Sequence, residues 1–200
     1  MIARCVDTGD VMTAVRFGRA HGLDVSIRSG GHNGPGLSLV DDGLVIDLSL
    51  LKGIRVDPET RTARVEPGCT WGDVDHATHA FGLATPSRII STTGVGGLTL
   101  GGGHGYLTRK YGLTIDNLIG ADVVMSNGTL VHANEKENTR LHPVKNVIAG
   151  PLFWPHREIR SRRRFTEGRY ADFSGAIPVR RIDSKGSSRR PGRSLSHCSS

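Results

Sequence analysis

The most constraining feature of this sequence is the glycine-rich stretch from Thr92 to Gly105, TTGVGGLTLGGGHG. Glycine costs backbone entropy in helices and strands, so a packed protein uses it at this density where the backbone lies against something flat or bulky. A flexible linker would be polar, whereas Val95, Leu98 and Leu100 interrupt this stretch. The pattern therefore predicts a packed segment that approaches a flat or bulky neighbour.

A second glycine motif, Arg28-Ser29-Gly30-Gly31-His32-Asn33, follows the apolar run 23–27, which predicts a buried strand. Two adjacent glycines permit positive φ angles and let backbone N–H groups converge. Together with the guanidinium of Arg28, these N–H groups predict a cradle for an anion such as a pyrophosphate. The spacing differs from the G-x-G-x-x-G fingerprint that opens a Rossmann helix. A surface turn with an incidental histidine is the alternative that the hexapeptide leaves open.

The order of the two motifs resembles the FAD-binding domain of FAD-linked oxidases, with GLATPSRIIS before the glycine-rich stretch and KYGLTIDNL after it. That fold is named after p-cresol methylhydroxylase and the vanillyl-alcohol oxidases, and berberine-bridge-enzyme-like oxidoreductases are the nearest type. The resemblance covers residues 2–138. It implies an α+β fold, a p-cresol methylhydroxylase-type FAD-binding domain of two α/β subdomains, and FAD as the cofactor.

The resemblance also implies which residues contact FAD. They are Arg28, Ser29, Gly30, Gly31, His32 and Asn33 in the first motif, Thr93, Gly94, Gly97, Gly102, Gly103 and Gly105 in the second, and Asn117 beyond it. The histidine that matches His32 is bonded to the 8α-methyl of the isoalloxazine. Many relatives add a bond from a cysteine, whose position is Ile90 here, so at most one attachment is implied. Asn117 is implied on the adenosine side, and a local Asx turn is its alternative.

The implied reaction is hydride transfer from a small-molecule, alcohol-type substrate to the flavin, with molecular oxygen as acceptor. The resemblance implies that a helix, a glycine-rich turn and a strand are missing after Asn138, and that the domain which supplies the substrate pocket is absent. We therefore expect an incomplete domain with an unpaired strand ladder, weak FAD binding and no assigned catalytic residue. A truncated, non-catalytic FAD-binding remnant is the alternative, and whether the chain is an enzyme stays open.

Charge divides the chain into two parts. Residues 1–155 carry 14 Lys/Arg against 15 Asp/Glu, whereas residues 156–200 carry 12 against 4, a difference of +8. We predict a partial FAD-binding domain over 1–145, followed by a linker and a disordered Arg/Ser-rich tail over 146–200. A frame-shifted end of the sequence would account equally well for this composition. Without interleaved aromatic residues the tail is not expected to bind nucleic acid, and a nucleic-acid-associated protein that acts through its basic tail is the further alternative.

The remaining composition predicts a cytoplasmic chain. No apolar run approaches the roughly 18–20 residues of a membrane helix. No secretory signal is recognised, and the three scattered cysteines, Cys5, Cys69 and Cys198, lack metal-ligand spacing, so we predict reduced thiols and no metal.

Local patterns predict the order of helices and strands. Capping residues and terminal glycines indicate helices over 8–22 and 71–81, and a shorter one over 106–111. Asp57-Pro58 and Asn127-Gly128 lie between β-rich runs and each predicts a hairpin. A strand is expected over 44–48, in which Asp47 is interpreted as a surface carboxylate.

Overall fold

The computed structural model describes residues 1–139, 141, 172–178 and 180–181. Its helices are α1 (Thr8–Ala20), α2 (Trp71–His79), α3 (Val95–Leu100) and α4 (Thr108–Tyr111), with a 3-10 turn at Ile115–Asn117. Its strands are β1 (Ile2–Arg4), β2 (Val25–Arg28), β3 (Leu44–Asp47), β4 (Ile54–Asp57), β5 (Thr62–Val65), β6 (Leu83–Ala84), β7 (Gly120–Val124), β8 (Leu130–Asn134), β9 (Asp172–Pro178) and β10 (Arg180–Arg181). None of these helices is both long and apolar enough to span a bilayer.

The first region, which we call the parallel-sheet region, is built from residues 1–51. Its strands lie in the order β1-β3-β2, and β3 pairs in parallel with both neighbours. Helix α1 begins at its N-cap Asp7, whose carboxylate accepts a hydrogen bond from the Asp10 N–H at 2.9 Å. The helix buries Val11 and Val15 against Leu44 and Ile46 of the central strand. The first glycine motif begins at Arg28, the last residue of β2.

The second region, the antiparallel-sheet region, contains five strands in the order β4-β5-β9-β7-β8. The two predicted hairpins are confirmed, since β4 pairs with β5 and β7 pairs with β8, both antiparallel. Helix α2 packs Trp71 and Val74 into a core shared with Ala63, Val65 and Ala121 of the sheet. Its start is fixed by a capping box in which the Thr70 hydroxyl and the Asp73 carboxylate each accept a backbone N–H of the other.

The chain after residue 155 differs from expectation where the structure describes it. Strand β9 lies between β5 and β7 and pairs antiparallel with both, and β10 pairs with β6. Nine residues of the segment that was predicted to be a disordered tail therefore form strands, and β9 fills the position between β5 and β7. Averaging composition over a long Arg-rich segment hid a short run, DFSGAIP, that can extend between two strands. The rest of the expected tail and the boundary at 145 lie outside the described residues and stay predictions.

The predicted ends of the helices were slightly too long. Helix α1 ends at Ala20 and α2 at His79, and Gly22 and Gly82 follow them with φ of 62° and 63°. The glycines therefore follow the helix ends, but Gly22 lies beyond its helix rather than at its last residue, and α2 stops two residues before the predicted end at 81. The short helix after the glycine-rich stretch begins at Thr108, not Tyr106.

Candidate cofactor-binding site

The first glycine motif is held where β2 ends. The Ser29 hydroxyl donates a hydrogen bond to the Pro67 carbonyl at 2.5 Å, which ties the motif to the loop before α2. Gly31 follows with φ of 69°, a left-handed conformation that favours glycine. A Cβ at Gly31 would come within 3.3 Å of Arg28 Nε, so the guanidinium lies directly beside this turn. The local sequence thus places a positive charge next to a sharply turned backbone.

The partner of Arg28 is Asp47, at the end of β3. Its Oδ2 lies 3.4 Å from Arg28 Nη1, and its Oδ1 accepts the Ser49 N–H at 3.0 Å. Asp47 is only 5% exposed, so its interpretation as a surface carboxylate is wrong. Strand β3 is central in its sheet and buried along its whole length, which leaves no solvent-facing side for alternate residues. The buried carboxylate orients Arg28 while half of that side chain stays accessible.

The glycine-rich stretch is anchored to the first turn of α2. The Trp71 N–H donates to the Thr93 carbonyl at 3.0 Å, and the Gly72 N–H donates to the Ser91 carbonyl at 2.9 Å. These two bonds fix the backbone on both sides of Thr92. They also explain the N-terminal end of α2, because two of its otherwise unpaired N–H groups find acceptors in this segment.

The two glycine motifs cross at Gly30 and Gly94. A Cβ added to either residue would overlap the backbone of the other, so any side chain here would push the segments apart. This contact satisfies the requirement inferred from the glycine density, that the backbone lies against a close neighbour. For these two residues the neighbour is the other motif.

A side-chain hydrogen bond joins the same two motifs. His32 Nε2 lies 2.9 Å from the Thr92 hydroxyl oxygen, across 60 residues of sequence. Both residues are exposed, as are Ile89 and Ile90 just before Thr92. Sequence reasoning chose Thr93 from this stretch and missed Thr92, because only the crossing of the motifs shows which threonine faces the histidine.

The backbone of the first motif has free hydrogen-bonding capacity that suits a phosphate-bearing cofactor. Among the described residues, none accepts a hydrogen bond from the N–H groups of Gly30 to Gly34. Gly34 and Gly97 have open space where a side chain would be, so a ligand could approach the backbone at both. Consecutive N–H groups beside an accessible guanidinium are the donors that a pyrophosphate requires. The residues present therefore fit FAD.

Asn33 has a partly local role. Its side-chain oxygen accepts the Leu37 N–H at 2.8 Å, and its carbonyl accepts the Gly36 N–H at 3.1 Å. These bonds close the turn that follows the first motif. The Asn33 side chain stays exposed on the same stretch as His32.

Three of the expected glycines in the second motif contact neighbouring segments of the protein. The Gly102 and Gly103 carbonyls each accept an N–H of the following segment, from Ile115 and Thr114 at 3.0 Å. Gly103 has φ of 74° and packs so tightly on the Thr114 side chain that a Cβ would collide with it. Gly105 packs in the same way against the Ser87 carbonyl. Packing within the protein therefore accounts for glycine at 103 and 105, whereas Gly102 is favoured by its φ of 97°.

Asn117 is buried in the turn that Gly102 and Gly103 contact. Its side-chain nitrogen donates to the Tyr111 and Leu113 carbonyls at 3.0 and 2.8 Å. The side chain therefore acts as a donor to its own turn, which differs from the Asx turn offered as the local alternative. It stabilises the segment that the glycine-rich stretch rests on.

Arg88 is a residue of this region that sequence reasoning did not single out. It is 7% exposed, and its Nη2 lies 3.5 Å from Asp75 Oδ2 on α2. Burial raises the pKa of Asp75, and the Arg88 charge opposes that shift. Burial likewise lowers the pKa of Arg88. No local pattern predicts a buried arginine, since arginine is ordinarily exposed, but here it joins the segment leading to Thr92 to the second turn of α2.

Comparison with known proteins agrees with this geometry. The sequence model of a family described as "FAD binding domain" matches residues 1–134. An FAD-linked oxidoreductase of Dictyostelium discoideum is 40% identical over 168 residues, which covers 74% of this chain and 37% of the relative. Berberine bridge enzyme-like 27 of Arabidopsis thaliana is 39% identical over 131 residues, covering 63% of this chain and 24% of the relative.

A solved structure shares the fold. The crystal structure of 6-hydroxy-D-nicotine oxidase from Arthrobacter nicotinovorans superimposes with a TM-score of 0.77 at 34% identity, covering 90% of this chain and 36% of that one. The chain thus spans about a third of the length of such relatives. It belongs to the FAD-binding domain family of FAD-linked oxidoreductases, and its cofactor is FAD.

Proposed function

We propose that this chain is the FAD-binding part of an FAD-linked oxidase. The observation that carries the proposal is the crossing of the two glycine motifs, which places His32 beside unpaired N–H groups and Arg28. When bound, FAD would accept hydride from a small alcohol-type substrate and return the electrons to molecular oxygen. The chain supplies binding and orientation, and no residue of it is assigned to proton transfer with substrate.

The predicted site residues other than His32 divide into three roles in this proposal. Arg28 and the N–H groups of Gly30, Gly31 and Asn33 bind the pyrophosphate, with Ser29 holding their loop. Thr93, Gly94 and Gly97 form the backbone against which the isoalloxazine lies. Gly102, Gly103, Gly105 and Asn117 act indirectly, because their contacts hold that backbone in place.

We further propose that His32 forms the single covalent attachment to the flavin. The support is its exposed ring at the junction of both motifs, together with Ile90 in place of a second attaching group. In this respect the proposal follows the resemblance of RSGGHN to the attachment loop of FAD-linked oxidases.

The test is to express the whole chain with added FAD and to denature it in acid. Flavin fluorescence should stay with the polypeptide in the unaltered chain and leave it in His32→Ala. His104→Ala is the matched control, because His104 is also an exposed histidine in a glycine motif and should keep the attachment. Release of flavin from the unaltered chain, or retention in His32→Ala, would contradict the assignment.

Peroxide release on a panel of alcohols and cyclic amines tests the reaction. Peroxide release with alcohols would support the proposed substrate class. Peroxide release with amines alone would replace it with an amine substrate. Stoichiometric flavin without peroxide on any compound would favour the non-catalytic FAD-binding alternative over turnover by this chain.

We also propose that the chain acts in the cytoplasm. The support is that Cys69 is a buried, free thiol in the described part of the chain. Fractionation of cells followed by thiol alkylation should find the chain in the cytoplasmic fraction with all cysteines reduced.

A further inference from the structure

The two ring nitrogens of His32 differ in their hydrogen-bond partners. Nε2 lies 2.9 Å from the Thr92 hydroxyl oxygen, whereas Nδ1 has no hydrogen-bond partner among the described residues. In a neutral imidazole one nitrogen carries the proton and the other presents a lone pair, and a hydrogen bond at one nitrogen selects the tautomer. A hydroxyl that accepts from Nε2–H leaves the lone pair on Nδ1.

Both ends of this link are fixed by backbone contacts. On one side, the Ser91 and Thr93 carbonyls accept N–H groups from the start of α2 and so fix Thr92 between them. On the other side, Ser29 is bonded to the Pro67 carbonyl, and Gly30 packs against Gly94. The distance between the hydroxyl and the ring therefore depends on the crossing of the motifs rather than on two freely moving surface side chains.

From this arrangement we propose that Thr92 is the positioning residue of His32: its hydroxyl oxygen accepts a hydrogen bond from Nε2–H and so leaves Nδ1 as the nitrogen that attaches to the flavin. The proposal rests on the covalent attachment proposed above. In the attachment a bond forms between Nδ1 and the 8α carbon, while one C–H bond of the methyl group and the Nε2–H bond break. The two protons and one electron pair pass to the isoalloxazine, and molecular oxygen then takes them up as hydrogen peroxide.

The substitution Thr92→Val removes the hydroxyl and keeps the shape of the side chain, whereas Thr92→Ser keeps the hydroxyl. We expect covalent attachment of added FAD to slow by about 10- to 100-fold in Thr92→Val, the range found when a metal-ligating histidine loses its orienting partner. Thr92→Ser should attach flavin at close to the original rate. Thr13→Val is the matched control, because the Thr13 hydroxyl donates to the Gly9 carbonyl on the exposed side of α1, away from both motifs.

Two measurements separate positioning from a general structural effect. First, reversible FAD binding is compared in His32→Ala and in His32→Ala combined with Thr92→Val, where equal affinities are expected because no attachment can occur. Second, nitrogen NMR of His32 should show a proton on Nε2 in the unaltered chain and a mixture of tautomers in Thr92→Val. Neither measurement uses turnover as its readout.

The outcomes distinguish this inference from the proposed function. If the unaltered chain attaches flavin and Thr92→Val attaches it equally fast, the positioning role is wrong and the attachment stands. A weaker reversible affinity in the double variant would assign Thr92 to binding instead and overturn positioning. If the unaltered chain attaches no flavin, the role proposed for His32 fails and this inference fails with it.

Discussion

The parallel-sheet region and the antiparallel-sheet region contribute one glycine motif each, but they are assembled differently. All three strands of the first region come from residues 2–47, and each pairs with a partner close in sequence. The second region has β9 between β5 and β7, although more than 100 residues separate β9 from β5 along the chain. The first motif is therefore supported by a nearly self-contained unit, whereas the second depends on a distant segment.

This difference predicts that the two halves of the site fail separately. Loss of β9 would free the sheet beneath α2 and loosen the anchors of Thr92, while the loop that carries His32 keeps its own strand. Loop-closure entropy adds to the cost of recruiting a remote strand. The following experiments are ordered from the largest expected effect to the smallest.

The substitution Gly175→Pro should have the largest effect. Gly175 faces Val65 of β5 and Ala121 of β7, and proline removes an N–H from a central strand. We expect a loss of about 3 kcal/mol in unfolding free energy, because one ladder bond is lost and its acceptor carbonyl is left unpaired in the sheet. Hydrogen exchange should rise in β5 and β7 while β2 and β3 keep their protection. Gly186→Pro, outside the described strands, is the control, and equal exchange in both variants would show that β9 does not hold the sheet together.

Raising the pH should weaken the antiparallel-sheet region next. Burial, followed by the charges of Asp73 and Glu66, raises the pKa of the Cys69 thiol from 9.0 to about 11. Below pH 9 this thiol is neutral in both states, but at higher pH the unfolded chain gains by ionising first. Stability from this group is therefore lost between pH 9 and about 11.

The upper bound of that loss is about 3 kcal/mol, at about 1.4 kcal/mol for each pKa unit. Urea unfolding across this pH range should show a steeper decline in the unaltered chain than in Cys69→Ala. If the unfolding free energy declines equally with pH in the two proteins, the Cys69 thiol is not the cause of the decline.

The smallest effect is expected from Asp47→Asn in the parallel-sheet region. Asparagine keeps the size of the side chain and can still accept the Ser49 N–H, but it removes the charge that faces Arg28. Because 44% of the Arg28 side chain is exposed, we expect a loss of only about 1 kcal/mol. Hydrogen exchange should rise in β2 and β3 and stay unchanged in β9. Asp41→Asn on the exposed loop is the control. An equal loss of stability in that variant would contradict a stabilising role for the pair of Asp47 and Arg28.

The sequence by itself determined the parts of this protein whose physics is local. Asp7 and Thr70 cap their helices, Asp57-Pro58 and Asn127-Gly128 lie at the tips of the two hairpins, and glycines end the first two helices. These features depend on hydrogen bonds and allowed φ angles within a few residues, so a single sequence contains the information. The two glycine motifs in their order were also enough to indicate FAD.

Only the tertiary structure decided which distant groups meet. It buried Asp47 beneath Arg28, paired Arg88 with Asp75, and set Thr92 rather than Thr93 against His32. It also inserted β9 into a gap where sequence comparison predicted an unpaired ladder. Each of these contacts joins segments far apart in the chain. Local conformational preferences do not identify which distant residue is contacted. The partner is selected when the buried strands and the crossing glycine backbones exclude every side chain that does not fit.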